Sequence, residues 1–493
     1  MKSIKILTAP YKFYNQYMPP VALGLISQTL LNNNIKHSKD DLYVKLHHAQ
    51  KNNEISISSD PIIIKQWDSY ILGNIEPFIE RKIEQIANLS TFKKNEILIF
   101  TAISPPKSEI PNYLIPLALF RYLKKKYNSY IITNNPELKK GEKLDLIDNL
   151  LYDIPSLLNL LKDKFKFKIS NINKISTTQN LDELPIQLYS YQGITVAGYY
   201  FFDGCPHNCT FCDRFFINKK DENNEKLYFP KNIIPKIKEF SQKYNITNFM
   251  FMNTTINPST KISSEFAKQL INSKINIKWC DCANFKNMTT ELLDLLKESG
   301  CVKLVFGFET ASKFLQEKIN KKISLSHAEK IIKHSYKIGI WIDITLLCGL
   351  PYETYEDLYL TLCFIKKNYK YLRGINLNRF IMKMNDYYFH QEKYKLKIFK
   401  INNNPYTTLG FDELEGNKWK NKWQFTEDVY QEIIKSLDPI RVNYLRPVNQ
   451  IFRIFSNDIS INRLNDYIDN KILNQNTSKL DLLIKKYKNL SNK

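Results

Sequence analysis

Two spacings of apolar residues alternate along this chain. Short apolar runs of strand length end in Asn, Pro or Gly. Longer stretches follow in which apolar positions recur every three or four residues, as a helix face requires. KSIKILTAP reads as a first strand and PPVALGLISQTLLNNN as an amphipathic helix ending in Asn. NEILIFTAIS reads as a strand stopped by Pro105-Pro106, which cannot extend a hydrogen-bonded ladder. IPNYLIPLALFRYLKKKYN is a helix, and SYIITNNP a strand that ends in turn residues. This block predicts an α/β domain with a parallel sheet over residues 1–185. From Lys166 to about Gln187 the chain turns polar and irregular, as a linker does.

A second alternation opens at Gly193. GITVAGYYFF, TNFMFMN, INIKWCDC, VKLVFGFE, WIDITLLCGL and GINLNRFI read as strands. NIIPKIKEFSQKYN, SSEFAKQLINSK, TTELLDLLKESG, SHAEKIIKHSYKIG and YEDLYLTLCFIKKNY are the helices between them. Six such strands predict a partial (β/α)6 TIM-like barrel over 190–420, whose chemistry sits where strands end and loops begin. Residues 421–493 read as a helical, basic C-terminal extension.

Composition narrows the function classes. A chain of 493 residues asks for two or three domains, and 43% hydrophobic residues suffice for packed cores. The formal charge of +22 comes from 71 Lys+Arg against 49 Asp+Glu. The cations are mostly Lys and are spread along the chain, whereas a nucleic-acid footprint requires clustering. The abundance of Lys, Asn, Ile and Tyr with only 13 Gly matches an AT-rich coding sequence. The apolar stretch at the N-terminus is too short for a signal segment or a membrane span, and no later run approaches 18 residues. Eight cysteines in such a length are no disulfide framework. These features predict a cytoplasmic protein with no membrane partner and with nucleic acid disfavoured.

CPHNCTFC, residues 205–212, gathers three of the eight cysteines directly after the first strand of the second block. A disulfide uses two thiols, and a structural zinc site closes with four ligands. His207 could complete a Cys3His zinc set, although it lies between two of the thiols. Cys280-x-Cys282 falls near the end of a strand, where alternate residues share a face, and one of the two reads as core. Three thiolates suit a 4Fe–4S cluster with one iron left open, and an open iron implies chemistry.

The loop resembles the radical SAM signature, C-x3-C-x-aromatic-C. The resemblance implies that Cys205, Cys209 and Cys212 ligate the cluster and that S-adenosylmethionine (SAM) chelates the fourth iron. One electron then splits SAM to methionine and a 5′-deoxyadenosyl radical. It also implies that Phe211 lies near the adenine. FMFMNTTIN (249–257) is similar to the family's F-x-D-x-x-F-type segment near the SAM amino group, with Asn253 where Asp is common. GFETAS (307–312) is similar to its G-[IVF]-E-[ST] element, making Glu309 a SAM contact or an orienting group. GLPYET (349–354) is similar to GLPGET, with Tyr352 replacing Gly in what reads as a structural turn. The likeness spans residues 193–380.

The first domain resembles the flavodoxin-like, cobalamin-binding-type domain that precedes many such barrels. PPVALGLISQTL is similar to its PP-x-G-L-x-x-L-A helix, and NLDELPIQ (180–187) to its linker. A Gly-Gly pair is common there after a late strand, and this chain has Thr133-Asn134-Asn135-Pro136. No D-x-H-x-x-G supplies a lower axial His. Both a working cobalamin site and a retained fold without the ligand stand as readings.

The activity expected is radical SAM methylation of an unactivated centre through cobalamin, on a small-molecule or peptide substrate, with a reducing electron-transfer protein as partner. A cobalamin-independent rearrangement or oxidation is the alternative within the enzyme class. A zinc-stabilised nucleic-acid-binding protein is the alternative outside it. His47-His48 read as surface residues, Cys348 as a packed thiol at a barrel-strand end, and Cys301 and Cys363 carry no role. Trp419, Trp423, Tyr430, Tyr444, Phe452, Phe455, Arg441, Arg446 and Arg453 read as helical packing. No nucleophile elbow and no G-x4-G-K-[ST] loop occurs.

Overall fold

The computed structural model describes residues 2–10, 18–101, 111, 113–135, 138, 141–151, 153–169, 171–172, 175–176, 179–190, 194–199, 205–212, 233–383, 394–401, 408–437 and 477–492. Two compact units form, Met1–Tyr200 with Phe240–Ile246, and Phe201–Glu239 with Thr247–Lys493.

The first unit holds β1 (Ile4–Thr8), β2 (Ser38–Asp41), β3 (Ile97–Thr101), β4 (Tyr130–Thr133) and β5 (Asn149–Leu150). They pair in parallel in the order β2-β1-β3-β4-β5, the flavodoxin-like doubly wound arrangement. IKILT and ILIFT are buried at every residue, which explains why they are apolar apart from Lys5, Thr8 and Thr101. SKDD, the β2 sequence, carries no strand signal. Tertiary partners make it one. The Lys39 ammonium donates to Ser27 Oγ at 3.1 Å and to Asn180, and Asp41 Oδ2 accepts Tyr189 O–H at 2.7 Å. The linker lies on the first helix, Val21–Asn32, where Asn180 N–H donates to Gly24 O at 3.0 Å. A Cβ on Gly24 would stand 2.9 Å from Gln179 Cβ, so the glycine of the PPVALGL segment is what admits the linker.

The second sheet contains β6 (Val196–Tyr199), β7 (Asn248–Phe251), β8 (Lys278–Ala283), β9 (Cys301–Glu309), β10 (Trp341–Cys348) and β11 (Gly374–Arg379). Its order follows the chain without a break, β11-β10-β9-β8-β7-β6, and the pairings from β7 to β11 are parallel. Helices between the strands start at Ser or Thr caps, among them Ser259, Thr289, Ser312, Ser324 and Thr354. Rings fill the layer between sheet and helices, with Phe251 stacked on Trp279 at 5.3 Å and Phe308 on Phe364 at 4.5 Å.

One element has no counterpart in the sequence reading. β12 (Met382–Lys383), β13 (Leu396–Lys400) and β14 (Thr408–Glu413) form an antiparallel sheet beside the barrel strands of the same unit. Leu396, Ile398, Leu409 and Phe411 share a core with Leu315, Ile319, Leu350 and Phe380. Helices Trp419–Ser436 and Ser478–Ser491 follow. Tyr444, Phe452, Phe455, Arg441, Arg446 and Arg453 lie outside the described residues, as do Pro136 and the end of GITVAGYYFF. Among the described residues no helix is long and apolar enough to cross a membrane.

Candidate active site

The cysteine loop has few internal bonds, and other elements hold it. Cys212 N–H donates to Cys209 O at 3.2 Å, tightening the last turn. The turn after the Lys313–Lys318 helix does the rest: Thr210 N–H donates to Ile319 O at 3.0 Å, and Asn320 Nδ2 to Asn208 O at 2.8 Å. Tyr394, at the start of the accessory sheet, donates to Lys318 O at 2.7 Å and meets the Thr210 hydroxyl. Phe211 is half-buried against the core that Tyr394 shares. The accessory sheet therefore braces the loop.

Cys209 is buried, and Cys205 and Cys212 are half-buried. Among the described residues no three His, Cys, Asp or Glu side chains converge as around a single metal ion. Burial pushes the Cys205 thiol up to about 11 and raises Cys209 as well, while the Lys321 charge pulls both down and Lys286 adds to the pull on Cys209. Asn284 hydrogen-bonds the His207 ring, and its Nε2 is buried without a hydrogen-bond partner.

Glu309 ends β9 with φ 68°, in the left-handed region that a residue other than glycine seldom adopts. Its carboxylate accepts the Lys321 ammonium at 3.1 Å and the Thr345 hydroxyl at 3.2 and 3.1 Å. Burial works against the Lys321 charge, yet Glu309 and the cysteine thiols outweigh it and raise its pKa. The same ammonium stands 5.6 Å from the Phe211 ring centroid. Gly307 makes room for this pair, because a Cβ there would come within 2.5 Å of Lys321 Nζ.

Asn253 follows β7 in the chain. It is buried, and its side-chain amide donates to Asp281 Oδ2 at 2.7 Å, while Asp281 Oδ1 accepts Cys282 N–H at 2.8 Å. Phe249 and Phe251, which form the buried face of β7, precede Asn253 in the chain. Burial raises the Asp281 carboxyl to about 8 against the bonds from Asn253 and Cys282. A carboxyl whose pKa is raised on folding stabilises the fold below its unfolded value and loses that contribution as pH climbs. The window here runs from 3.8 to about 8. Asp281→Asn is therefore expected to flatten the fall in thermal midpoint between about pH 6 and 8. Thermal melts of both proteins across that range check this, and parallel curves would refute it.

The GLPYET turn is structural, as its sequence suggests. Tyr352 holds φ 63° where the related motif has Gly, and its N–H donates to Glu413 Oε1 at 2.6 Å. Glu413 pairs with Lys422 at 3.1 Å, both fully buried, and Gly349 N–H donates to Glu353 Oε2 at 2.5 Å. Cys348 is buried with its thiol donating to Asn378 O at 3.6 Å. Cys301 is buried and Cys363 half-buried. Cys280 is buried and Cys282 exposed, although alternate residues of a strand share a face. His47 and His48 are half-buried instead of lying on the surface. His48 Nε2 bonds Leu188 O at 2.9 Å, and burial lowers His47 to about 4.

Sequence reading missed Lys321, Thr345, Tyr394 and Asp281. Only Lys321 carried a faint signal, as a cation shortly after GFETAS.

Residues 199–365 match the model of the Radical SAM superfamily. Over 238 residues the chain is 25% identical to an uncharacterized methyltransferase of Pyrococcus horikoshii, covering 47% of this chain and 49% of that protein. Over 242 residues it is 26% identical to the bacteriochlorophyllide d C-8(2)-methyltransferase of Chlorobaculum tepidum, covering 47% and 52%. The chain thus spans about half the length of these curated relatives. In fold it is similar to the radical SAM methyltransferase TsrM of Kitasatospora setae, solved with cobalamin and a [4Fe-4S] cluster bound, with TM-score 0.50 at 10% identity over 100% of both chains. It is similar also to the cobalamin-dependent SAM radical enzyme OxsB with aqua-cobalamin bound, with TM-score 0.55 at 12% identity over 98% of this chain and 72% of that one.

Proposed function

We propose that this enzyme, whose residues 199–365 match the Radical SAM superfamily, cleaves SAM reductively at a 4Fe–4S cluster on Cys205, Cys209 and Cys212 to methylate an unactivated centre through cobalamin. When bound, the cluster supplies the electron for SAM cleavage and cobalamin carries the methyl group. The observation that carries this reading is the Lys321–Glu309 pair lying against the cysteine loop. The methionine end of SAM is a zwitterion, with an ammonium and a carboxylate side by side. A buried carboxylate and ammonium 3.1 Å apart can exchange partners with it charge for charge. Thr345 holds Glu309 in place, and Gly307 keeps the space open. Lys321 and Lys286 also offset the negative charge that Cys205 and Cys209 take on as thiolates.

The first domain supports the cobalamin part. A cavity of about 150 Å³ opens at the carboxyl ends of β3 and β4, lined by Leu25, Ile26, Phe100, Ile132, Asn134 and Asp153. Ligands of doubly wound sheets bind at those ends. Asn134 forms part of the wall and leaves the cavity open where the glycine pair is missing, which supports this reading.

The test uses full-length protein reconstituted anaerobically with iron and sulfide, incubated with hydroxocobalamin and gel-filtered. Iron with acid-labile sulfide, deoxyadenosine from SAM and dithionite, and about one co-eluting cobalamin per chain are the expected results. One zinc per chain without sulfide would replace the enzyme by a zinc-stabilised binding protein. An intact cluster without cobalamin would leave radical SAM chemistry without cobalamin-borne methyl transfer.

A further inference from the structure

We infer that an acidic one-electron carrier protein docks on the surface formed by the Lys313–Lys318 helix and the turn after it. The inference rests on the cluster reading above, which requires an electron from outside the chain. In that step one electron leaves the reduced carrier and enters the cluster, with no bond or proton transferred.

The surface adjoins the cysteine loop directly. Asn208 and Pro206 are the exposed residues of that loop, and the bond from Asn320 ties Asn208 to the turn. Asn320 also lines a shallow depression of about 810 Å³ with Lys313, Glu317, Lys322 and Leu325. A partner seated in the depression therefore stands one or two residues from the buried Cys209.

The chemistry of the surface selects the partner. Phe314 and Leu325 are 50% and 37% exposed, two large apolar side chains in a region otherwise charged. Lys313 and Lys322 are exposed, and the half-buried Lys318 holds its ammonium 5.3 Å from the Phe314 ring centroid. Among the described residues none of these three lysines forms a salt bridge, whereas Lys333, Lys366 and Lys367 nearby in sequence each pair with a carboxylate. Lys286 adds a further exposed cation beside the loop, and Glu317 is the acid in the lining. Unpaired cations around an apolar centre form the footprint of an acidic protein, whose rim charges steer encounter and whose apolar patch is covered on docking. A nucleic acid would call for cations continued along a stripe.

The experiment compares reconstituted full-length protein with its Lys313→Glu/Lys322→Glu variant. Cluster reduction is followed by its visible bleaching, once with photoreduced flavodoxin as the acidic carrier and once with dithionite. Charge reversal is expected to slow reduction by flavodoxin about tenfold or more at low salt, to abolish its salt dependence, and to leave the dithionite rate unchanged. Phe314→Ser is expected to slow the flavodoxin reaction again without touching the dithionite one. Equal flavodoxin rates in the wild type and both variants would overturn the docking surface. Equal rates with loss of binding to a single-stranded RNA oligonucleotide would reassign it to nucleic acid. A wild-type protein that dithionite cannot bleach would instead overturn the cluster reading.

Discussion

Cys209→Ala is expected to abolish deoxyadenosine formation from SAM and to lower bound iron, while the first unit keeps its fold. Cys209 is the middle residue of the proposed ligand set and the most buried of the three thiols, so neither solvent nor a neighbouring cysteine can take its place. The loop itself survives the change. Its anchors are Asn208 and Thr210, bonded to Asn320, Ile319 and Lys318, and none of those bonds involves the sulfur. Removing one buried sulfur costs about 1–2 kcal/mol of packing, within what a large domain tolerates. Product analysis after dithionite reduction, iron determination and circular dichroism measure the three parts of this expectation. Deoxyadenosine at the wild-type level would remove Cys209 from the ligand set.

Glu309→Ala is expected to weaken SAM binding at least tenfold, about 1.4 kcal/mol, with iron content unchanged. The substitution has a second consequence, which the structure makes separable. Lys321 would remain in its buried position without a carboxylate, and breaking such a pair from one side costs about 3–5 kcal/mol. The double variant Glu309→Ala/Lys321→Ala removes that stranded charge. Its thermal midpoint should recover most of the loss, while SAM affinity stays low because neither pole of the zwitterion is matched. Equilibrium dialysis with SAM and thermal melts on the cycle of four proteins separate binding from stability. SAM affinity equal to wild type in Glu309→Ala would exclude the carboxylate from the SAM site.

The accessory sheet adds a structural link between regions far apart in sequence. Tyr394 reaches Lys318 and Thr210, Glu413 receives Tyr352 N–H, and Lys422 pairs with Glu413. The cysteine loop, the GLPYET turn and the helix Trp419–Ser436 are thus built on one buried framework. Tyr352 shows why the motif tolerates losing its glycine. The left-handed backbone costs about 1 kcal/mol or more for a side chain, and here the bonds to Glu413 and from the tyrosine hydroxyl to Lys395 O at 2.8 Å offset it.

Much of this protein was decided by local sequence. Apolar runs such as ILIFT can be satisfied only by burial on both faces, so they become central parallel strands whatever surrounds them. Period-four stretches capped by Ser or Thr become the helices between strands. Three cysteines in eight residues already bring three thiols into one loop, because the spacing is a property of that loop alone. Tertiary structure alone decided the rest. Ser38–Asp41 is a strand because Ser27, Asn180 and Tyr189 satisfy its polar side chains. Asn253 meets Asp281 because the strand it follows, β7, pairs with β8. Lys321 reaches Glu309 because the turn at Ile319–Asn320 folds back over the cysteine loop and Gly307 leaves it room. Each of these is a pairing of charges or hydrogen-bond groups between segments distant in sequence. A buried polar group takes its role from the partner it finds, and local periodicity carries no record of that partner.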